Sequence, residues 1–264
     1  MAKAATLFGA GTLFDPSHKL VTSPFFSPTL LAWFRASVAL YTTAMLIFIL
    51  AYDSVVTKDA GTNFSYFTFL TYIGICSYYW ASFVQTFWYI RRGFEGYPLQ
   101  SWGKTLQILH LMLRNTVLTF PIIVTIAFWT LVATPSSVAT TVNLWRNISV
   151  HALNSLFCVF EMLLTNNPSP QWIFLPVMIL IIGLYTALAY VTRATQGFYP
   201  YTFLDPGKYH SVVAAFFFGI VIGEVVIFTL AWGLMKLREM KFPVRSTGSD
   251  DIAIEMKEQD RDSV

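Results

Sequence analysis

Six long apolar segments make up most of the chain and constrain its fold more than any other feature. Each approaches or exceeds the ~20 residues that an α-helix needs to cross the hydrocarbon core of a bilayer. Only 12% of the 264 residues are charged, which is about half the fraction found in soluble domains. We therefore predict an all-α membrane protein, a bundle of six transmembrane helices. The predicted spans are 28–51, 66–90, 106–133, 143–165, 171–192 and 211–236.

The distribution of Lys and Arg near the segment ends predicts the orientation, because these residues concentrate on the cytoplasmic side. The side that holds the termini carries Lys3, Lys19, Arg91, Arg92, Lys104, Lys236, Arg238, Lys241 and Arg245, and the other carries Lys58, Arg146, Arg193 and Lys208. We therefore expect both termini to be cytoplasmic. An N-terminal arm at the membrane surface (1–27) would precede the transmembrane domain (28–240), and a disordered cytoplasmic tail (241–264) would follow it.

The composition also limits the classes of partner and cofactor. The net charge is +3 and is scattered along the chain, which does not fit a nucleic-acid-binding surface. Cys76 and Cys158 both lie in apolar segments without metal-ligand spacing. We expect neither a metal nor a cofactor. The expected partners are the bilayer and its lipids, in the endoplasmic reticulum or the plasma membrane, and the sequence does not decide between these organelles.

Ionisable side chains inside the predicted spans must face the protein interior or find partners, because charge is costly in lipid. Five of them fit a structural polar network: Arg35, His110, Arg114, Glu161 and Glu224. Arg35 or Arg114 can pair with Glu161 or Glu224.

The fourth segment carries a polar stripe. Its polar positions advance by four, three, four and three residues, which puts them on one face of an α-helix. They are Asn147, His151, Asn154, Cys158 and Glu161. Such a face is too costly to expose to lipid, so we expect it to point into the bundle. His151 is then either a packed, hydrogen-bonded histidine or part of a site.

The second segment shows a matching face. Its members are Thr68, Thr71, Tyr78, Ser82 and Gln85. Threonine in a membrane helix usually donates to the carbonyl four residues before it, which is the structural interpretation of this pattern. In the alternative interpretation a hydroxyl performs chemistry, and Tyr78, Ser82 and Gln85 line the pocket below it.

Depth connects the two stripes, because both segments enter the membrane from the non-cytoplasmic side. At the α-helical rise, Thr71 lies ~8 Å and His151 ~12 Å from the starts of their helices. If the helices are neighbours, a hydroxyl meets an imidazole, the minimal pair for nucleophilic catalysis. Candidates to orient the imidazole or to stabilise an oxyanion are Asn147, Asn154 and Ser155.

Three blocks of the sequence, "FTFLTYIG", "NISVHALNSLFCVFEML" and "TQGFYPYTFLDPG", resemble the androgen-induced-gene-like family of polytopic membrane proteins. The resemblance covers about residues 28–240, and the "HALNS" and "FLDPGK" strings resemble its fungal-type members. This family includes threonine hydrolases of fatty acid esters of hydroxy fatty acids. The resemblance implies a six-span layout and lipid ester hydrolysis.

The resemblance also implies roles for individual residues. The "FLT" block implies a catalytic Thr71, with Thr68 as the fallback nucleophile one turn away, and the fourth segment implies a catalytic His151. The chain departs from the hydrolases of the family just before this histidine. They carry a second histidine there, whereas this chain has Asn147 and Ile148, so the substrate stays open.

Two other classes of function remain as alternatives. The polar stripes could line a path or seal a bundle in a non-enzymatic transporter or lipid-binding scaffold, although no inverted repeat indicates a transporter. An intramembrane metalloenzyme is a third possibility, but the spacing expected of the ligands and their supporting carboxylates is missing. The soluble-esterase G-x-S-x-G motif is also missing from the sequence.

Overall fold

The computed structural model describes residues 2–11 and 13–244. Within these ranges the chain is helical and holds no strand. The helices are α1 (Ala2–Leu7), α2 (Pro28–Tyr52), α3 (Phe67–Arg91), α4 (Pro98–Ser101), α5 (Lys104–Ala127), α6 (Thr141–Ile148), α7 (Asn154–Leu163), α8 (Phe174–Gln196), α9 (Pro206–Tyr209) and α10 (Val212–Lys241). The tail predicted over 241–264 lies outside the described residues from 245 onward.

Three π-helical turns lengthen the long helices. They are Asp53–Thr57 after α2, Phe128–Val132 after α5, and Ser149–Leu153 between α6 and α7. The last of these joins α6 and α7 into one interrupted rod. Because a π turn holds one residue more than the corresponding α turn, it changes the direction in which the following side chains point.

Helices lie over all six apolar segments, but they differ in composition. Among the described residues, four have both the length and the hydropathy to cross a membrane: Pro28–Thr57, Lys104–Val132, Phe174–Gln196 and Val212–Lys241. The Tyr and Trp side chains of α3 and the amides of the α6–α7 rod lower the mean hydropathy of these two elements. The helical class is therefore as predicted, and the six-span count stays a prediction.

The centre of the bundle is α5, which contacts α3, α7 and α10, while α2 packs along α3. Met45 and Ile49 of α2 interlock with Tyr72 and Ile75 of α3, and all four are buried. Lipid is as apolar as these side chains, so close packing and internal polar contacts hold such helices together, rather than transfer from water.

A buried ion pair ties the helices to one another. Arg35 Nε and Nη2 donate to the two carboxylate oxygens of Glu161, at 3.1 and 3.0 Å. Its Nη1 donates to the Leu20 carbonyl at 2.9 Å and to Thr86 Oγ1 at 2.7 Å. Both charged side chains are fully buried. One of the predicted pairings is thus present, and it joins the N-terminal arm, α2, α3 and α7.

Arg114 and Glu224 do not pair with each other. Arg114 Nη2 lies 3.4 Å from Asn115 Oδ1, and its Nε and Nη1 have no partner within the described part of the chain. Neither carboxylate oxygen of Glu224 has a partner there either. Both residues are buried, so they lie in the interior as predicted without forming one of the possible pairings.

The N-terminal arm packs onto one end of the bundle. Leu20 and Val21 are buried in one cluster with Tyr97 and Leu99. Asp15 fastens this contact, because its carboxylate accepts from the Lys19 and Leu20 backbone N–H groups, both at 2.9 Å, and from Tyr97 Oη at 2.6 Å. Burial and the adjacent carboxylate raise the pKa of Tyr97, so its phenol stays a donor.

Replacing Asp15 by alanine should therefore loosen the arm. We expect Asp15→Ala to lower the free energy of unfolding by about 1–3 kcal/mol, because the buried Tyr97 hydroxyl loses its acceptor. Thermal unfolding of the detergent-solubilised protein measures this change. Glu95→Ala is the matched control, since this exposed carboxylate lies two residues before Tyr97 in the same loop. Equal stability of the two variants would show that Asp15 does not anchor the arm.

Candidate active site

Two cavities meet at a shared wall that includes Thr68, His151 and Tyr201. The first, here called the apolar cavity, has a volume of about 70 Å³ and lies among α5, α8 and α10, with Ile182 and Ile220 in its lining. The second, the polar cavity, has a volume of about 290 Å³ and lies at the ends of α2 and α3 and beside α6. A hydroxyl, an imidazole and a phenol therefore stand between an apolar space and a polar space.

The polar cavity is organised by a second ion pair. Arg146 on α6 donates from Nη1 and Nη2 to the two carboxylate oxygens of Asp53, at 2.7 and 2.8 Å. Arg146 Nη2 also donates to Asn63 Oδ1 at 3.0 Å, and Asn63 Nδ2 donates to Asp53 at 2.8 Å. Because the charges and the amide satisfy one another, this wall of the cavity is polar and internally paired.

Thr68 lies in the first turn of α3, which begins at Phe67 after an extended residue. Its backbone N–H donates to Tyr201 Oη at 3.3 Å, and its Oγ1 lies 3.3 Å from the same oxygen. No backbone carbonyl of the described residues accepts from this hydroxyl, which sets Thr68 apart from an ordinary helical threonine. The positive end of the α3 dipole also lies here, where it favours developing negative charge.

Thr71 has a different environment. Its Oγ1 donates to the Thr68 carbonyl at 3.0 Å, as the structural interpretation of this stripe requires. It lines neither of the two cavities and faces a separate groove with Thr116 and Leu184. The predicted juxtaposition of Thr71 with His151 is therefore not found there. Side chains three residues apart on an α-helix differ by ~4.5 Å along the axis and by ~60° around it. This is enough for Thr68 and Thr71 to face different neighbouring helices.

His151 sits in the π turn between α6 and α7, and only 7% of its surface is exposed. Its ring stacks on Phe128, with centroids 3.5 Å apart and planes 5° apart. Phe128 itself opens the π turn that follows α5. The Nδ1 atom of His151 has no partner among the described residues. A buried imidazole with an uncommitted nitrogen, on a π turn beside a cavity, is typical of a functional site.

The side chains predicted to support the histidine are committed elsewhere. Asn147 borders the polar cavity, and its Nδ2 donates to the Ser137 carbonyl at 2.8 Å. Asn154 Nδ2 and Ser155 Oγ both donate to the carbonyl of Pro121, at 3.3 and 2.9 Å. The polar stripe faces the protein interior, but the π turn divides it, so its members do not form one wall.

The side chains predicted to line the pocket below the threonines line neither cavity. Tyr78 Oη donates to Glu161 at 3.2 Å, and so belongs to the buried ion-pair network. Gln85 Oε1 accepts from the Leu99 backbone N–H at 2.8 Å. Ser82 Oγ is buried without a partner within the described ranges. His110 packs near the Tyr78 ring, with centroids 5.8 Å apart. These residues belong to the structural half of the bundle.

A family model described as FAR-17a/AIG1-like protein matches residues 31–235. The chain belongs to this family. The match includes all three residues at the shared wall and most of the helical bundle, and it agrees with the androgen-induced-gene-like resemblance of the sequence. Membership and the apolar helices make the chain an integral multi-pass membrane protein. No curated protein and no solved structure matches it significantly.

Three residues of this candidate site have no role in the prediction from the sequence. Tyr201 lies inside the block "TQGFYPYTFLDPG", where several neighbouring residues are also aromatic and nothing in the sequence marks this one as functional. Asp53 follows the first predicted span and Arg146 lies near the start of the fourth, so both fall on the predicted non-cytoplasmic side, and their opposite charges were the available signal for pairing. The described residues contain no group of three His, Cys, Asp or Glu side chains placed to hold a metal ion.

Proposed function

We propose that this chain is a membrane-embedded ester hydrolase in which Thr68 is the nucleophile and His151 is the general base. The observation that carries the proposal is that both side chains line the same two cavities, one apolar and one polar. The proposal moves the nucleophile from Thr71, the first candidate of the sequence, by one helical turn. The reason is that the Thr71 hydroxyl donates to the Thr68 carbonyl, and Thr71 lines neither of the cavities that His151 borders.

The two groups divide the chemistry between them. Thr68 Oγ1 attacks the ester carbonyl carbon, and His151 takes the hydroxyl proton, which makes the oxygen an effective nucleophile. The tetrahedral intermediate expels the alcohol, which receives that proton from the imidazolium, and an acyl-threonine remains. Water then attacks the acyl group with His151 again as base, and the carboxylic acid leaves while Thr68 recovers its proton.

The two cavities suit an ester that lies partly in the bilayer. The apolar cavity accepts a hydrocarbon part of the substrate, and the polar cavity accepts its polar end and admits water for the second step. Fatty acid esters of hydroxy fatty acids, or similar acyl esters, have this division. The proposal includes six spans with cytoplasmic termini, which places α3 and the α6–α7 rod across the membrane beside the four more apolar helices.

Labelling with a fluorophosphonate probe tests the proposed pair, because the probe traps an activated hydroxyl covalently. We expect the native protein in detergent micelles to be labelled, and Thr68→Ala to abolish labelling. Thr71→Ala is the matched control, since it removes the neighbouring hydroxyl on the same helix. It should leave labelling intact.

The outcomes separate the competing functions. If labelling is lost only in Thr71→Ala, the assignment of the nucleophile is wrong by one turn. If folded native protein is not labelled, or if Thr68→Ala is labelled as the native protein is, the hydrolase proposal fails. The polar stripes then serve a transporter or a lipid-binding scaffold.

A further inference from the structure

The hydroxyl nearest to Thr68 belongs to Tyr201, in the segment between α8 and α10. Tyr201 Oη is within 3.3 Å of both Thr68 Oγ1 and the Thr68 backbone nitrogen. The residue lines the apolar and the polar cavity, as Thr68 and His151 do. The proposed mechanism assigns no role to it, although it contacts the nucleophile directly.

The packing of the Tyr201 ring fixes where the hydroxyl points. The ring stacks on Phe203 with centroids 5.2 Å apart and planes 5° apart, and Tyr66 meets it edge-on at 5.7 Å. The Phe203 and Leu204 side chains are buried and line the apolar cavity. Phe203 and Tyr66 therefore hold the Tyr201 ring in place, which gives the phenol oxygen a defined position over the first turn of α3.

The mechanism lacks a group that stabilises the oxyanion. Ester attack puts negative charge on the carbonyl oxygen, and a preorganised donor for that oxygen usually makes a large contribution to the rate. The side chains that the sequence offered are held by backbone carbonyls, Asn147 by that of Ser137, and Asn154 and Ser155 by that of Pro121. None of the three lines both cavities, as Thr68 and His151 do. The hydroxyl of Tyr201 remains, within reach of the reacting atoms.

We propose that Tyr201 is a further catalytic residue, the donor that stabilises the oxyanion formed when Thr68 attacks an ester. In the resting site the phenol oxygen accepts from the Thr68 N–H and lies 3.3 Å from Thr68 Oγ1, to which its own proton can be donated. The carbonyl oxygen of the tetrahedral intermediate is bonded to the same carbon as Thr68 Oγ1. Rotation about the Thr68 Cβ–Oγ1 bond can therefore bring this oxygen to the phenol that lies beside Oγ1. No proton leaves Tyr201 during the cycle, and only its hydrogen bond changes acceptor.

Burial supports this role, because it raises the pKa of Tyr201 above the ordinary range of a phenol. A phenol that stays protonated keeps its donor through the pH range in which a neutral histidine acts as a base. The inference rests on the hydrolase function proposed above.

Steady-state hydrolysis of p-nitrophenyl butyrate by Tyr201→Phe tests the inference. This variant keeps the ring that packs on Phe203 and Tyr66 and removes only the donor. We expect kcat to fall by about 10²–10³-fold, the usual effect of losing one oxyanion donor, with KM unchanged. Tyr190→Phe is the matched control, because the Tyr190 hydroxyl donates to the Leu204 carbonyl of the same segment but lines neither cavity. Its kcat should equal that of the native protein.

Replacing Tyr201 with 3,5-difluorotyrosine gives a second test of the same role. This test can still be made if the Tyr201→Phe variant does not fold. Fluorination keeps the donor but lowers the pKa of the phenol, so the alkaline limb of the kcat–pH profile should move to lower pH. A packing role would leave that limb in place.

The outcomes distinguish this inference from the function on which it rests. Native kcat in Tyr201→Phe, or an unmoved alkaline limb in the fluorinated protein, overturns the role of Tyr201. If activity still depends on Thr68 and His151, the hydrolase proposal survives that result. Absence of turnover and of probe labelling in the folded native protein overturns both.

Discussion

Arg35→Ala is expected to destabilise the protein by about 3–5 kcal/mol, because it leaves the Glu161 carboxylate buried without its partner. The two side chains are fully buried and share two hydrogen bonds. The same guanidinium holds the Leu20 carbonyl of the arm and the Thr86 hydroxyl of α3. The loss of stability should therefore exceed the loss caused by removing any single surface ion pair.

The size of the destabilisation depends on whether one charged partner remains buried. A buried charge without its counter-ion is far more costly than an apolar pair of similar volume, so the double variant Arg35→Met/Glu161→Met should be more stable than either single Met variant. Thermal unfolding in detergent, followed by tryptophan fluorescence, compares these proteins. The wavelength shift is informative because several tryptophans lie near the helix ends.

Lys236→Ala serves as the control for the ion pair. Lys236 forms an exposed salt bridge to Glu239, in which half of the lysine side chain is accessible. Its loss should cost at most about 1 kcal/mol. If Arg35→Ala is no more harmful than Lys236→Ala, the buried pair does not hold the bundle together.

His151→Phe should reduce ester hydrolysis by about 10²–10⁴-fold, the usual contribution of a general base. The phenyl ring retains the stacking on Phe128, which has a centroid separation of 3.5 Å in the native protein. The substitution therefore removes the ring nitrogens and keeps much of the packing. Activity is measured with p-nitrophenyl butyrate, and unfolding temperature checks that the cavity survives.

The interaction of the two proposed groups gives the stronger evidence. Residues that act as one unit have non-additive effects on the rate. The double variant His151→Phe/Thr68→Ala should therefore be about as active as the less active of the two single variants. His110→Phe is the control, because this imidazole packs near Tyr78 and borders neither cavity. Additive losses in the double variant, or equal losses in His110→Phe and His151→Phe, would contradict the assignment.

The positions of the helices could be predicted because long apolar stretches interrupted by polar loops have few alternatives. Each of the six segments lies within a few residues of a helix or of a joined pair of helices. The pairing of the buried charged side chains was harder to predict from the sequence. Inward-facing charges follow from their cost in lipid, but which charge meets which depends on helix rotation. Of the pairings that the sequence allows, Arg35 with Glu161 forms, whereas Arg114 and Glu224 do not meet.

The candidate site shows the same limit at the scale of one helical turn. Thr68 and Thr71 share a face of α3, so periodicity cannot choose between them. What separates them is tertiary structure. α3 begins at Phe67, which leaves the Thr68 N–H without an intrahelical acceptor, and the segment after α8 brings the Tyr201 hydroxyl to it. His151 could be chosen from sequence because it is the single histidine of its segment.

The π turn over Ser149–Leu153 lets the two ends of the α6–α7 rod change in sequence independently. A residue added to a helix rotates everything after it by ~100°, and this turn absorbs such an addition in one place. The helical phase of the end that carries His151 is thereby uncoupled from that of the end that Glu161 fastens to Arg35. Substitutions can reshape the cavity wall for another substrate while the anchored end keeps its rotation.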